Sequence, residues 1–115
     1  MVCRFLIGKG YKIIERNYLK KWGEIDIVAK SEDVIHFVEV KTVRKECYTN
    51  NIDRYRAEDN MHLYKSQRLR RAIQSYILER RVGNRTEWKF DLVTVLLDKN
   101  DNSLLHVEHL EDLVI

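Results

Sequence analysis

Four charged residues lie close together on two short segments of this 115-residue chain. Glu24 and Asp26 belong to Gly23-Glu24-Ile25-Asp26-Ile27-Val28-Ala29-Lys30, and Glu39 and Lys41 to Phe37-Val38-Glu39-Val40-Lys41. The first segment alternates polar and apolar residues, and Val34 to Val43 is rich in β-branched residues, so both read as strands. Strands this close in sequence pair as a hairpin. A turn over Ser31-Glu32-Asp33-Val34, with Glu32-Asp33 at its tip, sets Ser31 opposite Val34. Glu-Asp is not a favoured tip pair, so this register is an expectation to be tested. In it Val28 faces Phe37, Asp26 faces Glu39 and Glu24 faces Lys41 on one side. On the other side Ile25 meets Val40, Ile27 meets Val38 and Ala29 meets His36, an apolar face that belongs in the core. A three-residue turn would put Asp26 and Glu39 on opposite faces.

Directly opposed side chains on antiparallel strands lie about 5 Å apart, and like charges there repel. A divalent cation between Asp26 and Glu39 removes that repulsion. Mg²⁺ favours one or two carboxylates completed by water and phosphate oxygens. Lys41 projects from the same face as Glu39, where an ammonium can orient a water and stabilise charge developing on a phosphate. The competing account is a solvated sheet face with Glu24 and Lys41 as an ordinary cross-strand pair; the opposed acids weigh against it.

The elements that must position these residues are legible in outline. Val2, Phe5 and Leu6 follow helical spacing, and Gly8 or Gly10 can cap a short helix. Lys12 to Tyr18 reads as a strand, followed by the two hairpin strands. Residues 44–64 are polar and irregular, with turn signals at Asn50-Asn51 and Glu58-Asp59-Asn60. Lys65 to Arg81 is the clearest helix: Leu69, Ala72, Ile73, Tyr76 and Ile77 form one apolar stripe, and Gly83 follows as a stop. Trp88 to Leu97 is another strand, and Leu104 to Val107 a last short one. The result is a single α/β domain over residues 1–115, with a central mixed sheet flanked by helices.

Composition narrows the function classes. Hydrophobic residues make up 44% of the chain, there are two cysteines and no proline, and the net charge is +3. That apolar content suits a packed domain. Two cysteines rule out a disulfide scaffold and do not supply a zinc finger. No apolar run approaches the ~18 residues of a membrane span, and the first twelve residues lack a signal-peptide pattern. These absences predict a cytoplasmic protein with no membrane partner.

Charge is unevenly spread. Lys65 to Arg85 holds seven basic residues and one acid, whereas Asp98 to Ile115 holds five acids and one lysine. A basic segment fits a phosphate-facing surface, or else a solvated helix face. Lys65, Gln67, Arg68 and Arg71 are the candidate phosphate contacts, because Gln67, Arg68 and Arg71 lie away from the apolar stripe. Tyr48, Tyr55 and Tyr64 pack the preceding loop or stack on exposed bases. His106 and His109 would point to opposite faces of a strand, which argues against a paired metal role. Cys3 and Cys47 read as inert thiols. Asp91, in an apolar strand, is either a structural acid with a buried partner or a residue supporting a site.

Gly23-Glu24-Ile25-Asp26 followed by Phe37-Val38-Glu39-Val40-Lys41-Thr42 resembles the hallmark of the YraN-type family. These are small bacterial proteins with a restriction-endonuclease-like fold, related to archaeal Holliday-junction resolvases. Lys9-Gly10-Tyr11, Glu15-Arg16-Asn17-Tyr18, Lys65 with Arg68-Leu69, Phe90-Asp91 and His106-Val107-Glu108 match as well, so the resemblance covers nearly the whole chain. It implies a mixed sheet flanked by helices, Asp26 and Glu39 as metal ligands with the Val40 carbonyl as a further one, and Lys41 as the water-positioning residue. The implied reaction is Mg²⁺- or Mn²⁺-dependent phosphodiester hydrolysis by in-line attack of water on branched or structured DNA. Analogy with junction resolvases adds a homodimer. Family members usually carry an acid on a longer first helix, whereas here no acid precedes Glu15. Either Glu24 substitutes, or the site lacks a ligand, or the start is truncated. If Glu24 does not serve, the alternative is a nucleic-acid-binding module with an incomplete metal site. A third reading makes the basic helix a docking surface for an acidic protein.

Overall fold

The computed structural model describes residues 1–45 and 67–115 in full and the backbone alone of residues 63–66. Cys47, Tyr48, Tyr55 and the turn signals at 50–51 and 58–60 therefore lie outside the described residues, as do the side chains of Tyr64 and Lys65. In chain order the elements are α1 (Val2–Gly8), β1 (Lys12–Lys20), β2 (Gly23–Ser31), β3 (Val34–Lys45), α2 (Leu63–Glu79), β4 (Trp88–Asp98) and β5 (Leu104–Leu110). Helix α1 is closed by bonds from the Gly10 and Tyr11 N–H groups to Ile7 and Leu6. Gly10 takes φ 97°, a conformation natural only to glycine.

The strands form one sheet in the order β1-β2-β3-β4-β5. Pairing is antiparallel except between β3 and β4, which run parallel around α2. This mixed five-stranded sheet with two helices is the expected α/β architecture and is compatible with a restriction-endonuclease-like fold.

The hairpin turn forms as expected. Glu32 (φ 50°) and Asp33 (φ 67°) are both left-handed, as a two-residue hairpin loop of the twist-compatible kind requires. Ser31 pairs with Val34, Val28 with Phe37 and Ile27 with Val38. The expectation of one apolar face needs correction, because helices cover both sides of the sheet. Under α2 lie Tyr18, Ile25, Val28, Phe37 and Phe90, packed on Leu69, Ala72, Ile73 and Tyr76. Under α1 lie Ile27, Ala29, Val38 and Val93, packed on Leu6 and Tyr11. Alternation predicts Ile25 beside Ile27, yet it sits with the α2 group. The β1–β2 ladder runs through Arg16–Ile27 and Tyr18–Ile25 but omits Asn17 and Asp26 between them, and Asn17 takes φ 55°. Tyr18 and Ile25, paired just beyond this gap, both pack under α2.

Candidate functional site

Beyond Ile27–Val38 the β2–β3 ladder stops. The next rung would engage Val40, but the Val40 N–H donates to Asp26 Oδ2 at 2.7 Å. A side-chain carboxylate here takes the place of a backbone acceptor. The N–H remains satisfied, and the strands stay tied while their backbones part. The expected opposed pairs Asp26–Glu39 and Glu24–Lys41 are therefore not ladder partners, because Asp26 has claimed the donor that would have continued the ladder.

A cavity of about 200 Å³ occupies the opening, lined by Gly23, Glu24, Asp26, Glu39, Val40, Arg68 and Leu69. Glu39 is buried, Asp26 half-buried and Glu24 exposed. Gly23 explains how α2 reaches this place. A Cβ there would stand 2.3 Å from the Arg68 carbonyl oxygen, an impossible contact. Glycine admits the helix backbone this closely, and the contact brings Arg68 to the cavity wall. From the sequence Gly23 stands only as part of a motif; its isolation ahead of an alternating strand is the signal of a close backbone approach.

The other candidate residues separate. Gln67 and Arg71 line an adjoining hollow with Lys21, Trp22 and Arg68. Lys41 lines neither space. Its pairing with Thr94 continues the unbroken β3–β4 register from Glu39–Leu92, so alternation keeps Lys41 on the face of Glu39, one pleat further along. The side chain of Lys65 lies outside the described residues.

The acidic residues lining the cavity are Glu24, Asp26 and Glu39, with Arg68 beside them. Carboxylates are oxygen ligands of the kind that hard divalent cations take.

A second polar group lies on the opposite, α1 side of the sheet. Asp91 is fully buried, and its Oδ2 meets His36 Nδ1 at 2.7 Å and His109 Nε2 at 2.8 Å. The Asp112 N–H donates to Oδ1 at 3.1 Å. The Lys9 ammonium, 2.6 Å from His109 Nδ1, can only donate, so His109 carries its proton on Nε2, toward Asp91. Tyr11 donates its hydroxyl to Glu111. Burial pushes the Asp91 carboxyl up, but the bonds from His109, the Asp112 N–H and His36 outweigh it and hold the group below the ordinary carboxylate range. Asp91, His109 and Glu111 each bring a ligand atom within 4.8 Å of the others and could hold a metal ion. Asp91 thus has the buried partners that its setting in an apolar strand calls for. The part played by His109 escapes the sequence; it follows from the Val93–His109 register on β5, which no local pattern reveals.

Among the described residues no helix is long and apolar enough to cross a membrane. Residues 1–95 match the model of the uncharacterised protein family UPF0102. A UPF0102 protein of Campylobacter hominis is 32% identical over 99 residues, spanning 86% of this chain and 80% of its own. One from Alkaliphilus oremlandii is 32% identical over 111 residues, spanning 95% and 89%. A shorter match, 49% over 49 residues, joins the chain to a UPF0102 protein of Campylobacter fetus. On the family match and on relatives aligned over most of both lengths, the chain belongs to family UPF0102, the YraN family.

Proposed function

We propose that the protein is a Mg²⁺- or Mn²⁺-dependent nuclease acting on branched or structured DNA. The observation that carries this reading is the parted hairpin. Asp26 is tied to the Val40 N–H, so two carboxylates from adjacent strands border one cavity whose far wall is Arg68. A divalent cation bound there would act as a Lewis acid on the phosphate and lower the pKa of a bound water. Asp26 and Glu39 would hold the cation, and Glu24 at the rim would serve as an additional acid. Arg68 would grip a non-bridging phosphate oxygen and fix the strand's position. Lys41 would orient the attacking water and meet charge developing on the phosphate. Gln67, Arg71 and Lys65 would hold the flanking backbone, a sequence-independent contribution that salt weakens.

The test is cleavage of a labelled four-way junction, a flap, a duplex and a single strand in Mg²⁺, Mn²⁺ or EDTA, beside an Asp26→Ala/Lys41→Ala variant. Cleavage that needs metal and vanishes in the variant supports the reading. Binding without cleavage in either metal would replace it with a non-catalytic nucleic-acid-binding module. One observation favours that second reading: Lys41 does not line the cavity. Pairing of two copies into a homodimer belongs to the same proposal, and sedimentation of the protein with and without a junction tests it.

A further inference from the structure

The hollow beside the candidate cation site does not end at Arg68. Arg68 lines both the carboxylate-bordered cavity and a space of about 460 Å³ that also touches Lys21, Trp22, Gln67 and Arg71. Trp22 and Arg71 in turn line a third hollow of about 340 Å³, which continues along α2 to Leu78. Three spaces that share lining residues thus follow one another as a groove beside α2. Its charge changes sharply along its length. The cavity at one end is bordered by Glu24, Asp26 and Glu39, whereas among the described residues no acid lines the two hollows beyond it. Lys21, Arg68 and Arg71 supply the charge there.

Trp22 is the unusual member. It occupies the tight turn between β1 and β2, where an indole gains little from burial, and it remains 41% exposed. It is nonetheless held in place: its Nε1–H donates to Ser75 Oγ at 2.7 Å, which pins the ring to α2. Trp22 lines both hollows beyond the carboxylate-bordered cavity, with Arg71 lining both as well. A pre-positioned, half-exposed aromatic plane among these cations has the chemistry of a base-stacking platform. Stacking needs a base with a free face, and every base has one once its strand is unpaired. In a continuous duplex those faces are covered, and only the phosphates could use the groove.

We propose that Trp22 stacks an unpaired nucleotide while Lys21 and Arg71 hold its flanking phosphates, so that the groove takes single-stranded nucleic acid and leads it to the candidate cation site. The proposal rests on the nuclease reading for what happens at that site, and on the groove alone for the binding. It narrows the substrate to strands with unpaired nucleotides, such as flaps and opened junction arms, over uninterrupted duplex.

Binding in EDTA keeps the two questions apart. The full chain and its Trp22→Ala and Trp22→Phe variants are titrated, by fluorescence anisotropy, into a labelled single-stranded 12-mer and a duplex of the same sequence. Trp22→Ala is expected to weaken single-strand binding about tenfold and leave duplex binding unchanged. Trp22→Phe should retain most of the affinity. As a second measurement, Trp88→Phe leaves Trp22 as the only indole, and its emission should be quenched by the single strand but not by the duplex. Equal losses on both ligands, no loss with Trp22→Ala, or an emission unmoved by the single strand would each overturn the proposal. Trp22-dependent binding in a protein that cuts nothing with Mg²⁺ or Mn²⁺ would uphold the platform and sink only the nuclease reading.

Discussion

Asp26 accepts the main-chain N–H of Val40 at 2.7 Å across two strands that are no longer ladder partners at that point. A carboxylate in this position does two things at once. It satisfies a strand donor that would otherwise be left without an acceptor. It also keeps an anionic group beside the backbone that carries Glu39. The arrangement separates the structural task of Asp26 from its proposed chemical one, and substitutions can tell them apart.

Asp26→Asn keeps an oxygen able to accept from Val40 but removes the charge. We expect its melting temperature to stay close to that of the unaltered protein, with metal-dependent cleavage reduced at least a hundredfold. Asp26→Ala should lose cleavage and also about 1 kcal/mol of stability, the ordinary worth of one intramolecular hydrogen bond. Cleavage by Asp26→Asn at the unaltered rate would remove Asp26 from the proposed cation site.

Gly23→Ala places a methyl 2.3 Å from the Arg68 carbonyl oxygen, in backbone rather than in a flexible side chain. Helix α2 must shift, at a cost of about 1–3 kcal/mol by the usual scale of overpacking. Urea denaturation should record that loss, and nucleic-acid binding should weaken with it because Arg68 moves with the helix. A fully stable Gly23→Ala protein would show that the approach of α2 to β2 is looser than described.

Arg68 and Arg71 are exposed on α2 and border the groove. Replacing both by Ala should weaken DNA binding at low salt and flatten its dependence on salt, by about 0.9 in logarithmic slope for each phosphate left without its cation. Affinity measured across a salt series decides the matter, and an unchanged slope would free both residues from any phosphate role.

Asp91 makes stability depend on pH. Its carboxyl is held below the ordinary range despite burial, by bonds from His109, Asp112 and His36. A depressed folded pKa contributes stability above the unfolded value, about 3.9 for aspartate, and that contribution disappears as pH falls through the lower folded value. Denaturant midpoints should therefore decline as the solution is acidified below about pH 4. Asp91→Asn should be destabilised by about 3 kcal/mol at neutral pH, since it leaves buried donors facing an amide, and should lose part of the acid sensitivity. A variant as stable as the unaltered protein at neutral pH would mean that the buried group is dispensable.

Much of the frame is legible without the structure. Period-two alternation marks β2, β-branched residues mark β3, and the stripe Leu69-Ala72-Ile73-Tyr76-Ile77 marks the face of α2 that is buried, with Ile77 at its margin. The hairpin register from Ser31–Val34 to Ile27–Val38 follows from the turn alone, because a loop of fixed length determines every later pair. The same logic fails at Asp26. Register arithmetic assumes that each rung is backbone to backbone, and it cannot foresee a side chain taking a rung's place.

The sequence by itself determined which residues carry charge on the hairpin, which stripe of α2 is apolar and where most elements begin and end, since these depend on neighbours within a few positions. Only the tertiary structure decided that Arg68 stands beside Asp26 and Glu39, that Trp22 is pinned to Ser75, and that Asp91 gathers His36 and His109. Those contacts join β2 to α2, the β1–β2 turn to α2, and three neighbouring strands. They arise from how the sheet twists and how closely a helix can approach a glycine, and no local spacing encodes either.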